Sequence, residues 1–172
     1  MKPTKLFKPD VAIQAILYIL QNMGGTRDIH RCHKILYFAD NEHLSKYGRT
    51  ITGDAYVRMD FGPVPTCVYD LFKAVRADSY FANQVDDVRQ NCFHFINNKY
   101  ITSVAKPDMS YLSESDVEML DKYIKQLKEK TISGIRYALL IGTHEIIEEE
   151  NCLVVSGIIN LNCKTHEEIN DD

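Results

Sequence analysis

The chain has 172 residues and a formal net charge of −4, with 45% hydrophobic and 26% charged side chains. A chain of this length buries roughly 70% of the surface its unfolded form exposes, which is enough for one full core without staples. The composition is that of an ordinary globular protein, and nothing in it approaches the roughly 18 unbroken apolar residues of a membrane span.

Residues 10 to 23 are predicted as the first helix. Between Val11 and Leu20 only Gln14 is polar, Pro9 fits the first turn, and Gly24-Gly25 supplies the stop. A helix apolar on nearly every side is expected to be buried on nearly every side. The second helix is predicted from Thr26 or Asp28 to Lys46. At about 100° per residue, Ile29, Cys32, Ile35, Leu36 and Ala39 share one face, and Asp40 and His43 fall on that same face. Arg31, Lys34, Phe38 and Glu42 lie opposite. Gly48 is the expected exit residue, and Gly53-Asp54 marks a turn.

Ala55 to Asp60 alternates weakly and reads as a short strand, which Gly62-Pro63-Val64-Pro65 is expected to end because two prolines remove backbone donors. Gly48, Gly53, Gly62, Pro63 and Pro65 are accordingly read as architectural. A third helix is predicted from Pro65 to Val75. Cys92–Ile96 and Tyr100–Val104 flank Asn97-Asn98, a two-residue turn, and so predict a β-hairpin. Ser113 caps a fourth helix reaching Lys130, with Val117, Leu120, Ile124 and Leu127 as its apolar stripe. A fifth helix over 131–141, a short acidic helix over 143–150 and a last strand over 152–161 complete the reading. The fold class is therefore α+β: one helix-rich domain with a small antiparallel sheet. Residues 1–150 are read as the domain and 151–172 as a C-terminal strand and acidic tail.

Charge is unevenly spread. Residues 145–172 hold eight acidic side chains against Lys164 alone, leaving the first 144 residues at +3. That surplus is too mild for a nucleic-acid-binding face, and no helix-turn-helix with a basic recognition helix is evident. The basic start of the chain is broken by Lys8, Pro9 and Asp10 before any apolar secretion segment, so a cytoplasmic protein is expected. Five widely spaced cysteines (Cys32, Cys67, Cys92, Cys152, Cys163) with no CxxC are expected to be reduced thiols.

One passage is too particular for generic filler. It runs Lys34-Ile35-Leu36-Tyr37-Phe38-Ala39-Asp40 with His43-Leu44, Tyr47-Gly48-Arg49, Ile51, Gly53-Asp54, Tyr56, Gly62-Pro63-Val64-Pro65 and Tyr69. In order and spacing it resembles the Panacea domain, the SocA-like antitoxin family also seen in prophage-associated proteins. Ser113-Glu114 and Thr143-His144 resemble the family's C-terminal half more loosely, so the likeness extends over residues 8 to 150. Family members often carry Trp near that end, and this chain has none. The resemblance implies a bacterial antitoxin that binds and neutralises a cognate protein toxin. In one branch it implies an adaptor that delivers a toxin to a protease, a role in which the acidic end would engage the protease.

Several side chains in the passage carry chemistry. Asp40 and His43, three residues apart, have the makings of an acid–base pair; the plainer reading is a structural polar lock on the 47–54 turn. Lys34, Tyr37, Arg49, Asp54 and Tyr56 are candidates for toxin contact, because Tyr offers rigid amphipathic area; for Asp54 the rival role is to stabilise its own turn. His30, Cys32 and His33 have metal-ligand chemistry, but they diverge around the helix and no fourth ligand follows at a recognisable spacing. Cys67 sits in a helix's first turn, where a thiol can be activated, yet no base is assignable beside it. No catalytic residue, metal or cofactor is therefore expected. A small hydrolase using Asp40 and His43 is the rival from a different class.

Overall fold

A helix with six side chains at 1% exposure or less sits at the bottom of the core. This is α1, Pro9–Asn22, buried through Ala12, Ala15, Ile16, Leu17, Ile19 and Leu20. The structure is a computed structural model and describes residues 6–76, 86–128 and 130. The expected helices over 131–141 and 143–150, the strand over 152–161, the acidic tail, Thr143-His144, Cys152 and Cys163 lie outside the described residues. Among those described, the elements after α1 are β1 (Thr26–Asp28), α2 (Ile29–Tyr47), β2 (Tyr56–Met59), β3 (Gly62–Pro65), α3 (Thr66–Val75), α4 (Asp86–Asn91), β4 (Phe93–Phe95), β5 (Tyr100–Ser103) and α5 (Glu114–Leu127). This is an α+β domain, rich in helix, with two small antiparallel sheets. No helix among the described residues is long and apolar enough to cross a membrane.

The start of α2 departs from the expected reading. Thr26 to Asp28 form a strand, not a first helical turn, and pair with β5 in the register Thr26–Thr102, Arg27–Ile101, Asp28–Tyr100. Helix begins only at Ile29, where the Asp28 side chain accepts the Arg31 N–H at 2.9 Å. The expected β4–β5 hairpin is present, joining the same sheet in the order β1-β5-β4. Its loop is longer than two residues. Ile96 N donates to Tyr100 O, and the Asn97 side-chain oxygen accepts from the N–H groups of Lys99 and Tyr100.

The second correction concerns Gly62-Pro63-Val64-Pro65. These residues do not end β2; they are its partner strand, in the register Tyr56–Pro65, Val57–Val64, Arg58–Pro63, Met59–Gly62. Antiparallel pairs alternate between those that exchange hydrogen bonds and those that do not. Thr66 N donates to Ala55 O at 2.8 Å, so the exchanging pairs are 55–66, 57–64 and 59–62. Both prolines therefore fall on the alternate pairs, where no ladder N–H is called for. The spacing of the prolines by two makes a proline strand possible.

Gly53 is fixed by a close approach. Its backbone has φ +69°, and a Cβ there would drive into the Leu6 carbonyl, because the N-terminal segment lies across it with Lys8 N bonded to Thr52 O at 2.9 Å. At the other end of the domain α5 starts with a reciprocal cap, in which Ser113 Oγ accepts from Asp116 N and Asp116 Oδ2 accepts from Ser113 N. It ends at Leu127, three residues earlier than expected. There the Arg31 guanidinium donates to the carbonyls of Leu127, Lys128 and Lys130.

Candidate functional site

Helix α2 occupies the centre of the domain, and every functional candidate is defined by what covers it. On one side it packs against α1 and α5, on another against β3, and its first turns meet α3 through His33, which stacks on Phe72 with ring centroids 5.2 Å apart. The helical wheel finds one apolar face but cannot say that the opposite face is covered as well. Lys34 and Tyr37, expected off the buried face, are 3% and 4% exposed. Asp54 and Tyr56 are 2% exposed each. Of the five residues suggested for toxin contact, only Arg49 presents its side chain to solvent, at 42%. The side chains of the other four are covered by the elements around them.

Asp40 gathers the turn that follows α2. Its Oδ1 accepts the N–H groups of Ile51 at 2.7 Å and Thr52 at 3.2 Å; its Oδ2 accepts the Thr52 hydroxyl at 2.7 Å and the Tyr56 hydroxyl at 2.8 Å. Burial pushes its carboxyl above the ordinary carboxylate range, and the donors from Thr52, Tyr56 and Ile51 pull the other way. The Tyr56 ring in turn lies edge-on to Tyr37, 5.3 Å between centroids.

His43 looks elsewhere. Nδ1 faces Arg49 O at 2.7 Å, and Nε2 lies 3.0 Å from Ser115 Oγ and 3.1 Å from Asp116 Oδ1. Arg49 Nη2 reaches the same Asp116 oxygen at 2.9 Å and Ser113 Oγ at 2.9 Å. That oxygen lies against both groups, and neither is aligned on it as a hydrogen-bond donor. The cluster bolts the exit of α2 to the entry of α5. Asp40 and His43 thus serve different partners, and no hydrogen bond joins them among the described residues. The acid–base pair imagined from their spacing is not assembled.

Asp54 is the cap of α3. Its carboxylate accepts the N–H groups of Cys67 and Val68, both at 2.9 Å, the Thr66 hydroxyl at 3.2 Å and the Ala55 N–H at 2.8 Å. The helix N-terminus that would activate a Cys67 thiolate is already taken by this carboxylate. Cys32 is buried with no exposure, away from a shared site with His30 and His33. Among the described residues no three His, Cys, Asp or Glu side chains converge as a metal set.

Comparison with known families matches residues 33–137 to the one described as "Antitoxin SocA-like, Panacea domain". The chain belongs to this family. No curated protein and no solved structure gives a significant match. The matched span runs from within α2 through α5, so the Panacea domain includes both polar clusters, the proline hairpin and the capped α3.

Lys34 is the residue of the Panacea passage whose setting sequence reasoning missed. Its ammonium donates to Pro63 O at 2.5 Å, and burial lowers it from the ordinary 10.5 to about 8. The folded state gives up this proton before the unfolded chain does. Between about pH 8 and 10.5 the unfolded state binds more protons, so the contribution of Lys34 to stability rises with pH across that window. Replacing it with the similarly shaped, uncharged Met should remove this rise. The check is the difference in urea midpoint between wild type and Lys34→Met at the two ends of the window; equal differences would show that the buried amine does not titrate there.

Proposed function

We propose that this Panacea domain is the antitoxin of a toxin–antitoxin module and neutralises a cognate protein toxin by direct binding, with no chemistry of its own. The observation that carries the reading is the family match over residues 33–137. The disposition of the polar side chains supports it. Asp40, His43, Asp54 and Asp116 are all occupied with backbone groups, hydroxyls and each other, an arrangement that fixes a rigid shape. The one imidazole–hydroxyl contact of the passage, His43 Nε2 to Ser115 Oγ at 3.0 Å, belongs to the buried tie between α2 and α5 that Asp116 and Arg49 complete. A scaffold of this kind presents a preorganised surface, which lowers the entropic penalty of holding a partner.

The test is co-expression. The product of the neighbouring open reading frame is induced alone, then together with this protein, and growth is followed. Growth arrest relieved by co-expression, with the two proteins eluting together, is the expected result. A harmless neighbour, or arrest that co-expression does not relieve, would overturn the reading.

A further inference from the structure

The first turns of α2 leave two nitrogens less satisfied than a folded interior normally allows. Lys34 Nζ has one partner, the neutral carbonyl of Pro63, and no acidic side chain forms an ion pair with it among the described residues. His33 Nε2 is buried with no hydrogen-bond partner there. Both side chains address the same β3–α3 passage, Lys34 at Pro63 and His33 at Tyr69 and Phe72. Buried charges in proteins are ordinarily paired, and an unpaired ammonium costs stability that an interior Met or Leu would not. One turn before Lys34, burial holds the His30 pKa below its ordinary value; Asp28 opposes this, and Lys34 and Lys99 push the same way as burial. Asp28 is itself engaged as the cap of α2 and in contact with Arg31.

Lys34 is itself only 3% exposed, but the groups beside it reach the surface. Pro63 and His30 are half-buried, and Phe61, at the tip of the β2–β3 hairpin and 48% exposed, lies edge-on to His30 at 5.8 Å. A side chain entering past Phe61 and His30 would approach the carbonyl that holds the ammonium. We propose that the mouth formed by His30, Phe61 and Pro63 admits a carboxylate side chain of the partner protein, which pairs with the Lys34 ammonium. Charge complementarity selects this occupant: the site offers an ammonium and an aromatic edge, and among the described residues no guanidinium suited to a bidentate phosphate contact joins them. The inference rests on the antitoxin reading for the identity of the partner, but not for the chemistry of the site.

The protein alone provides the first test. Wild type and Lys34→Met are titrated with N-acetylglutamate N-methylamide and, separately, with inorganic phosphate, following the backbone amide resonances of Gly62, Val64 and Lys34. Saturable shifts with the glutamate probe in wild type, absent in a folded Lys34→Met, are expected. No shift in wild type, saturation by phosphate alone, or equal shifts in both proteins would overturn the site. Should Lys34→Met fail to fold, Phe61→Ala at the exposed mouth takes its place and must weaken the glutamate response. With a toxin in hand, Lys34→Met should bind it about tenfold to a hundredfold more weakly while unfolding at a urea midpoint no lower than wild type, the loss expected for a charged hydrogen bond. Wild-type rescue with undiminished binding by Lys34→Met would sink this inference and leave the antitoxin reading standing; absence of rescue by wild type would do the reverse.

Discussion

Replacing Asp40 with Ala is expected to lower the unfolding free energy by about 4 kcal/mol, a large share of the roughly 5–15 kcal/mol that holds a domain together. The carboxylate serves four donors: the Ile51 and Thr52 N–H groups and the Thr52 and Tyr56 hydroxyls. Asp40 is 1% exposed and Thr52 and Ile51 are fully buried, so water cannot simply replace it. Each stranded donor costs on the order of 1 kcal/mol or more, and the small cavity left by the side chain adds to that. Tyr56→Phe removes one donor and leaves the carboxylate with three, so its cost should be about 1 kcal/mol. Urea unfolding of the two variants checks both the size and the ratio. A midpoint for Asp40→Ala no lower than that of Tyr56→Phe would mean that the 50–56 segment is held by something other than this carboxylate. In co-expression, Asp40→Ala should lose protection in proportion to the folded fraction, not through a lost contact with a partner.

The direction of Asp40 and His43 was legible in the sequence, because a helix period alone puts them on the face of Ile29, Cys32, Ile35 and Ala39. Helices α1 and α5 were legible for the same kind of reason: an unbroken apolar run with Pro and Gly at its ends, and a Ser cap ahead of a regular stripe. What escaped were features decided by the rest of the fold. Three residues at Thr26–Asp28 are too few to show a period of two, and they become a strand only because β5 lies beside them. Pro63 and Pro65 look like breakers until their shared parity on the ladder is known. Lys34 and Tyr37 look exposed until the β2–β3 hairpin is laid over them. The pairing of His43 with Asp116 spans more than seventy residues, and nothing local to either position announces it. Ser113 did announce a helix start as its cap, but not that the Asp116 carboxylate three residues on would receive an imidazole and a guanidinium.

That shared carboxylate gives the second large effect. Asp116→Ala is expected to cost about 3 kcal/mol, from three sources of different character. The reciprocal cap of α5 loses its acceptor for Ser113 N, worth about 1 kcal/mol. His43, with no exposure, loses the anionic group that stands beside Nε2 among the described residues and keeps Ser115 Oγ. Arg49 loses an ion pair, but its side chain is 42% exposed, so water recovers most of that charge and the loss there is small. A double-mutant cycle separates the last two. Coupling between Arg49 and Asp116 should stay below about 1 kcal/mol, whereas coupling between His43 and Asp116 should exceed it, because both partners of that pair are buried. Asp116→Asn provides the internal control: it retains an oxygen for Ser113 N but not the charge, so it should fall between wild type and Asp116→Ala. Hydrogen exchange should also localise the damage, with amides in the first turn of α5 and around Arg49 losing protection while those of α1 keep theirs. If Asp116→Ala costs no more than the cap alone, the contact with His43 contributes nothing, and the tie between the end of α2 and the start of α5 is made by apolar packing. If the larger loss appears, one carboxylate of the C-terminal half orders the exit of the helix that carries the family's most particular residues.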